Sequence, residues 1–265
     1  LLVLTDANTM LNKNAIKALV RHFQDERVGV VAGEKRVRSR EQEAAAGAGE
    51  SLYWRFESWL KTKESELGST MGAAGELYAL RTPLHPQLER NTILDDLVTS
   101  LRIAEQGYRV KYEPGAYALE APSFSIADEM RRKVRIAAGG YQAIGRLPGM
   151  LNVFKRPLLA WMYLSHRVMR WAVGPLLLPL ILALNIALAI LAPQSESLYG
   201  WVLGAQLGLY ALAVVGWLLE RQQLRFKLLF VPFYFVFMNV AAIRGAWRHL
   251  RKSQSQAWER ARRAE

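Results

Sequence analysis

A helix followed directly by a strand is encoded in residues 95–116, DDLVTSLRIAEQGYRVKYEPGA. Asp95 to Gln106 has the apolar spacing of a helix and is closed by Gly107, a residue type that often follows a helix C-terminus. Tyr108 to Tyr112 has the alternation of a strand. The pair Asp95-Asp96 opens the helix, where its dipole stabilises carboxylates, so helix capping is one interpretation. The other is a general base that accepts a proton from an attacking hydroxyl group.

Strands and helices also alternate on the N-terminal side of this stretch. The predicted elements are the strand and polar turn LLVLTDAN (1–8), an amphipathic helix from Lys13 to Gln24, a strand from Val28 to Ala32, a long helix from Glu41 to Leu67 and a strand from Leu77 to Leu80. This order predicts an α/β domain over residues 1–148 with a Rossmann-like, mostly parallel sheet. Ligands of such sheets bind at the carboxyl ends of the strands, where Asp6 lies.

Asp6 and Asn8 form a candidate metal site. Hard cations such as Mg²⁺ or Mn²⁺ prefer oxygen ligands, and an aspartate with an amide oxygen two residues later presents both on one turn. An Asp-x-Asn sequence after a strand is also typical of a helix N-cap or an Asx-turn, so the pattern alone leaves both interpretations open.

Two segments are predicted to span a membrane. Trp171 to Ala192 is free of charge for 22 residues, about 33 Å as a helix, which matches a hydrocarbon core of about 30 Å. Leu198 to Leu219 is a second uncharged run of the same length. The linker between them has no Lys or Arg, although the chain has a net charge of +12. The positive-inside rule therefore predicts that residues 1–170 and 220–265 are cytoplasmic.

Two further segments are predicted to lie along the membrane surface. Leu228 to Ile243 is apolar but short, contains Pro232 and precedes a cluster of basic residues, so residues 220–265 are expected to form an interfacial or re-entrant helix and a basic tail. Residues 149–170 mix aromatic, aliphatic and basic residues, which favours an interfacial helix over an ordinary amphipathic helix of the globular domain.

A basic run, RRKVRI at residues 131–136, precedes these membrane segments. Solvated charge or attraction to lipid headgroups is the usual meaning of such a run. Next to a metal site the same residues would bind a diphosphate. Nucleic acid is not an expected partner, because the basic residues adjoin the membrane and form no separate patch.

Taken in order, five segments resemble the membrane-integrated, inverting family 2 glycosyltransferases of the GT-A fold, which include hyaluronan, cellulose and poly-N-acetylglucosamine synthases. The segments are TDANT (5–9), GAAGELYALR (72–81), DDLVTSLRIAEQGYRVKYEPGA (95–116), RRKVRIAAGG (131–140) and WERAR (258–262). The resemblance implies a partial GT-A domain followed by transmembrane and interfacial α-helices in the inner membrane. It also implies that the chain lacks its natural N-terminus, because the family's first nucleotide-binding strands would precede Leu1.

The resemblance implies a role for each matching residue. Asp96 falls on the catalytic base and Asp95 on the acidic residue before it, while Asp6 and Asn8 fall on the metal ligands. The donor diphosphate is assigned to Asp6, Asn8, Arg132, Arg135, Trp258 and Arg262, and the acceptor side to Gly72, Tyr78 and Arg81. The implied cofactor is Mg²⁺ or Mn²⁺, the donor a nucleotide sugar of the UDP type and the acceptor a growing polysaccharide, with membrane lipids and polysaccharide-export proteins as partners.

Three positions depart from the family pattern. Asn8 replaces an aspartate, and Arg132 and Ile136 replace the Gln and Trp of the family's Q-x-x-R-W element. Loss of the tryptophan removes a ring expected to stack on the acceptor sugar. This favours an alternative in which one sugar is added to a lipid-linked acceptor. A non-catalytic membrane subunit is the remaining alternative.

Overall fold

The computed structural model describes residues 1–37, 47–121, 125–191, 198–222 and 227–252. The strands are β1 Leu2–Thr5, β2 Met10–Leu11, β3 Val28–Val37, β4 Leu77–Leu80 and β5 Arg109–Glu120. The helices are α1 Ala15–Val20, α2 Gly47–Leu67, α3 Asp95–Glu105, α4 Ile126–Arg146, α5 Pro157–Tyr163, α6 Gly174–Leu191, α7 Leu198–Arg221 and α8 Lys227–Leu250. A π-helix, Leu164–Val173, joins α5 to α6.

The five strands form one mixed sheet in the order β1-β4-β3-β5-β2. Among these strands β3 and β5 are parallel, whereas the β1–β4, β3–β4 and β2–β5 pairs are antiparallel, so the sheet differs from the mostly parallel one expected. The difference arises between α2 and β4, where Thr70 N donates to Val110 O of β5 before β4 enters the sheet antiparallel to β3. The antiparallel β1–β4 pair sets Thr5 opposite Leu77, so Asp6 and Glu76 become neighbours.

The core lies on both faces of this sheet. On one face Val30, Leu80 and Val110 pack against Leu101 and Ile103 of α3 in a buried cluster. On the other face, strand residues pack against α1 and the turn that follows it, and this second cluster contains Val28, Val31, Leu77, Ala79, Ala116, Ala118, Ala15, Leu19 and Phe23. The alternation of side chains along each strand therefore supplies both layers.

Strands β3 and β5 are longer than predicted. The sequence pattern indicated strands only as far as Ala32 and Tyr112, because charged residues interrupt the apolar pattern beyond these points. In the structure Lys35 and Glu120 are buried within the strands, at 2% exposure each. These charges lie at the carboxyl ends of the two parallel strands, where an α/β sheet binds its ligands.

The remaining helices are long and apolar. Within the described ranges, three helices are long and apolar enough to cross a membrane, namely Pro157–Leu191, Leu198–Arg221 and Leu228–Leu250. The segment predicted as an interfacial helix joins the first of these from Pro157 onward without a break. α8 extends past its apolar run to Leu250, and its C-terminal half packs against α4. There a Cβ atom at Gly245 would lie 2.4 Å from Ala137 Cβ, and the rings of Tyr141 and His249 stack at 6.2 Å.

Candidate active site

The turn after β1 is held against two other strands. Thr9 donates to the Asp6 carbonyl oxygen through its N–H at 3.2 Å and its hydroxyl at 2.9 Å. Thr5 Oγ1 donates to the Glu76 carbonyl oxygen at 2.9 Å, and Asn8 Nδ2 donates to Glu120 Oε1 at 3.4 Å. The next helix begins at Ala15, so Asp6 and Asn8 do not cap it. Their side chains belong to the carboxyl end of the sheet.

Three carboxylates converge beside this turn. Oxygen atoms of Asp6, Glu76 and Glu120 lie within 4.8 Å of one another. The ammonium group of Lys35 is buried between two of them and donates to both Glu76 and Glu120. Arg132 Nη1 lies 3.5 Å from Glu120 Oε2. The cluster therefore holds one buried carboxylate, Glu120, and one half-buried carboxylate, Glu76, that already share a cation of the protein.

The pKa values of these carboxyl groups show the effect of Lys35. Burial raises the pKa of Glu76, but the charge and hydrogen bond of Lys35, together with Arg132, outweigh it and lower the pKa to about 2. Burial raises the pKa of Glu120 also, and again Lys35 outweighs it, so the pKa lies below its ordinary value. Both groups are ionised at neutral pH.

The oxygen atoms at this end of the sheet fit a hard divalent cation. Lys35 binds Glu76 and Glu120, and the half-buried carboxylate of Asp6 lies beside them. Asn8 donates to Glu120 through its amide nitrogen, so its amide oxygen faces another direction. A carboxylate and an amide oxygen on one turn, completed by substrate phosphates, are a ligand set that Mg²⁺ and Mn²⁺ accept.

Asp96 lies in the first turn of α3 and is half-buried, whereas Asp95 is exposed. Asp96 Oδ1 accepts a hydrogen bond from the Leu97 N–H at 2.7 Å. Burial is the largest influence on its pKa, and the charges of Asp95 and Glu76 act in the same direction. The N–H groups of Leu97 and Gly75 oppose them, and the pKa is raised to about 7. A carboxyl group with a pKa near the working pH has the acidity expected of a general base.

Gly75 lies close to the carboxylates of both Asp96 and Asp6. A Cβ atom at this position would be 3.4 Å from Asp96 Oδ2 and 3.8 Å from Asp6 Oδ1. The turn after β1 and the N-terminus of α3 therefore meet at one glycine, which brings the predicted metal ligand and the predicted base together.

Of the three predicted acceptor-side residues, Tyr78 lies close to these carboxylates, and Gly72 lies against Leu97, the residue after Asp96. Gly72 has a φ of +104°, and a Cβ atom there would lie 2.3 Å from Leu97 Cδ1, so only glycine fits. Tyr78 is 5% exposed, and its burial and the charges of Asp96, Asp95 and Asp6 raise its pKa, so its hydroxyl is neutral.

Arg81 lies at the other end of β4 from the carboxylates. Its guanidinium donates to the carbonyl oxygens of Val28, Phe23 and Asp25 at 2.8 to 3.0 Å. These bonds hold the turn before β3, so the structure does not bring Arg81 to the site.

The predicted basic residues lie on α4 or outside the described residues. Arg132 and Arg135 are half-buried and three residues apart, which places them on one face of this helix. Trp258 and Arg262 lie outside the described residues.

Sequence reasoning missed Lys35, Glu76 and Glu120. A signal was present for each, because Lys35 follows the buried run VGVVAG, Glu76 interrupts GAAGELYAL, and Glu120 ends AYALE. A charge within an apolar strand is costly unless it is paired. Their pairing depends on which strands are adjacent, which the sequence pattern did not predict.

Comparisons with known proteins identify the family and the fold of this chain. The family model described as glycosyl transferase family group 2 matches residues 1–243. An N-acetylglucosaminyltransferase of Azorhizobium caulinodans is 25% identical over 153 residues, which cover 54% of this chain and 38% of that protein. The mannosyltransferase PcManGT from Pyrobaculum calidifontis, solved in complex with GDP-Man and Mn²⁺, is 21% identical and superposes with a TM-score of 0.64.

The solved mannosyltransferase establishes the glycosyltransferase-like fold over 95% of this chain. The chain spans 62% of that structure and 38% of the curated relative. Because the family model covers most of the sequence, the chain belongs to glycosyl transferase family group 2.

Proposed function

We propose that this chain carries the metal turn, the base and the acceptor side of an inverting glycosyltransferase that uses a nucleotide sugar, of the UDP type in the first instance. An acceptor hydroxyl oxygen attacks the anomeric carbon and forms the new glycosidic bond. The bond from that carbon to the nucleotide diphosphate breaks on the opposite face, and the hydroxyl proton passes to Asp96. One displacement inverts the configuration at the anomeric carbon.

Asp96 is suited to this step because its pKa of about 7 lets it accept a proton at neutral pH. Asp6 and Asn8 would hold a divalent cation, which supplies positive charge to the departing diphosphate when bound. Arg132 and Arg135 add cationic charge on the adjacent helix. Tyr78 on β4 stays protonated and lies close to Asp96.

The observation that carries the proposal is the position of Gly75 close to both Asp96 and Asp6. A sugar donor held through its diphosphate at Asp6 has its anomeric carbon within reach of a hydroxyl group held at Asp96. Proximity of this kind supplies a large share of enzymatic rate enhancement. The GDP-Man and Mn²⁺ of the solved mannosyltransferase support the same classes of donor and cation.

The proposed acceptor is a growing polysaccharide presented at the membrane. Support comes from the continuous helix Pro157–Leu191, which leads from the α/β domain into an apolar segment. Ile136, in place of the family's tryptophan, favours the alternative of single addition to a lipid-linked acceptor. Polysaccharide-export proteins are the partners expected of the first alternative.

The test of activity uses membranes that contain the protein, with Mn²⁺ and radiolabelled UDP-N-acetylglucosamine, UDP-glucose and GDP-mannose in turn. We expect transfer from one donor, and Asp96→Asn should lower turnover by about 10²- to 10⁴-fold, the range for a lost general base. Asp95→Asn is the matched variant, with a smaller loss because Asp95 is exposed. A ladder of products indicates polymerisation, and one product indicates single addition. Absence of transfer from every donor would favour a non-catalytic subunit.

The proposed location is the inner membrane, with the α/β domain and the C-terminus of α8 in the cytoplasm. Support comes from the packing of Gly245 and His249 on α4, which keeps the end of α8 on the side of the α/β domain.

The chain has no cysteine, so Lys252→Cys gives a single label site. We expect it to resist an impermeant thiol reagent added from outside. Ser195→Cys in the linker should react, and equal reaction at both sites would contradict the topology.

A further inference from the structure

A second buried cluster of charges connects α2 to the π-helix at the start of the long membrane helix. Arg170 Nη1 lies 2.7 Å from Glu57 Oε2, and His166 Nδ1 lies 2.5 Å from Glu64 Oε1. Glu57, Glu64, His166 and Arg167 are each less than 10% exposed. Burial raises the pKa of Glu57, but His166, Arg170 and Arg167 outweigh it and hold the pKa well below its ordinary value. Glu57 is therefore a buried carboxylate that needs these partners.

This cluster holds both backbone polar groups of Met71. Arg167 donates to the Met71 carbonyl oxygen through Nε at 2.8 Å and Nη2 at 2.5 Å. Glu64 Oε2 accepts the Met71 N–H at 3.0 Å and the Thr70 hydroxyl at 3.1 Å. A residue of the membrane-entry helix thus binds the backbone directly before the predicted acceptor-side glycine, Gly72.

From Met71 the backbone reaches the base within four residues and is hydrogen-bonded to α3 on the way. Ala73 N donates to Ser100 Oγ on α3 at 2.9 Å, and the Gly75 N–H donates to the Asp96 carboxylate. Residues 71–75 are therefore clamped between the buried cluster at one end and α3 at the other. Asp96 is also faced by Asp95, Glu76 and Tyr78, and none of these lies on the π-helix.

Forming this π-helix costs free energy that an α-helix of the same residues would not. Helices of this type are rare and occur mainly as short insertions, frequently at functional sites. Here ten consecutive residues adopt this form. The altered turn brings His166, Arg167 and Arg170 together onto α2 and residue 71. A fold that only had to connect the α/β domain to a span would not need three polar side chains at this point.

We propose that Arg167 is a positioning residue, which fixes residues 71–75 to the membrane-entry helix and so sets the position of the Gly75 N–H at the base. The proposal rests on the proposed function, since it takes Asp96 as the base. In this proposal Arg167 acts through its two hydrogen bonds to the Met71 carbonyl oxygen.

The test compares Arg167→Met with Arg170→Met in the whole protein. Both changes remove a cation from Glu57, but only Arg167 binds Met71, so Arg170→Met controls for loss of buried charge. Hydrogen exchange of the peptide 71–77 should be at least about tenfold faster in Arg167→Met, because hydrogen bonds from a charged group are worth more than one factor of ten. In Arg170→Met this exchange should stay within about twofold of wild type. Arg167→Lys keeps the charge but has one donor nitrogen instead of two, so its exchange rate should lie between those of Arg170→Met and Arg167→Met.

Turnover supplies the second measurement. With the labelled donor that wild-type membranes use, Arg167→Met should lower kcat at least about tenfold and leave the donor KM within about twofold, since the cation site at Asp6 is not moved. Unchanged exchange in Arg167→Met, or equal changes in both Met variants, overturns the proposal even where Asp96→Asn abolishes transfer. Faster exchange only in Arg167→Met supports the clamp, and this result is obtained whether or not a donor is found.

Discussion

The carboxyl groups of Glu76 and Asp96, both close to Gly75, have pKa values that are shifted in opposite directions. Glu76 lies against Lys35, and its pKa is lowered to about 2, whereas Asp96 lies among Asp95 and Glu76, and its pKa is raised to about 7. Both groups are withdrawn from water, so burial does not distinguish them. The buried ammonium of Lys35 does. Lys35, a single cation on β3, therefore keeps Glu76 ionised, whereas Asp96 is able to accept a proton at neutral pH.

The largest effect is expected from removal of Lys35. Lys35→Met removes the cation that the half-buried Glu76 and the buried Glu120 share and leaves them only Arg132, so the folded state should lose about 3 kcal/mol, the lower end for broken buried ion pairs. The thermal unfolding midpoint in detergent measures the loss. Equal stability of wild type and variant would mean that Lys35 does not cause the difference between the pKa values of Glu76 and Asp96.

Asp96→Asn should act in the opposite direction on stability. The folded-state pKa of Asp96 is raised, so its contribution is fully present below about pH 4 and is lost as the pH rises through about 7. The asparagine variant should therefore be more stable than wild type at pH 8, by about 1–3 kcal/mol for a partly solvated group, and equal at pH 4. Thermal midpoints at the two pH values test this. A variant less stable at pH 8 would mean that Asp96 is a structural cap.

Gly75→Ala tests the closeness of the two carboxylates. The added methyl group would contact Asp96 and Asp6, so transfer should fall about tenfold, or about 1.4 kcal/mol in the barrier, while the fold is retained. Steady-state kinetics with the active donor give the result, and Gly145→Ala, which meets no atom within 4 Å, is the matched control. Equal activity in both variants would indicate that nothing binds between the carboxylates.

The smallest effect is expected at an exposed ion pair. Lys63 and Glu66 are joined at 2.8 Å with about half of each side chain exposed. Lys63→Met should therefore change the stability by no more than about 1 kcal/mol. The same thermal measurement used for Lys35→Met checks this. A loss as large as that of Lys35→Met would mean that burial does not set the difference between the pairs.

Much of the architecture followed from local patterns. The helix at Asp95, the strand at Leu77–Leu80 and the two uncharged runs were predicted close to their observed bounds, because each has an uninterrupted apolar period. The turn at Asp6 and the acid pair at Asp95-Asp96 were also found, since a polar residue at the end of an apolar strand or the start of a helix is a local signal.

The remainder depends on contacts between distant residues. The direction of β4 depends on how the chain crosses the sheet after α2, and no periodicity records this. Gly33-Glu34-Lys35 and Glu113-Pro114-Gly115 interrupt the apolar pattern after Ala32 and Tyr112, so both strands were predicted too short. Lys35 and Glu120 within them are paired with each other across two strands, which no local pattern records. The π-helix was missed for the same reason, since Arg167 and His166 serve α2 and Met71 rather than their own helix.

The central claim is that Asp96 accepts the proton, and the pH dependence of kcat/KM, which reports the free enzyme, tests it most directly. With the donor well below its KM, kcat/KM should fall tenfold per pH unit below about pH 7, because only the ionised carboxyl group accepts a proton. An acidic limb at about pH 4, the ordinary range of an aspartate, would contradict the account.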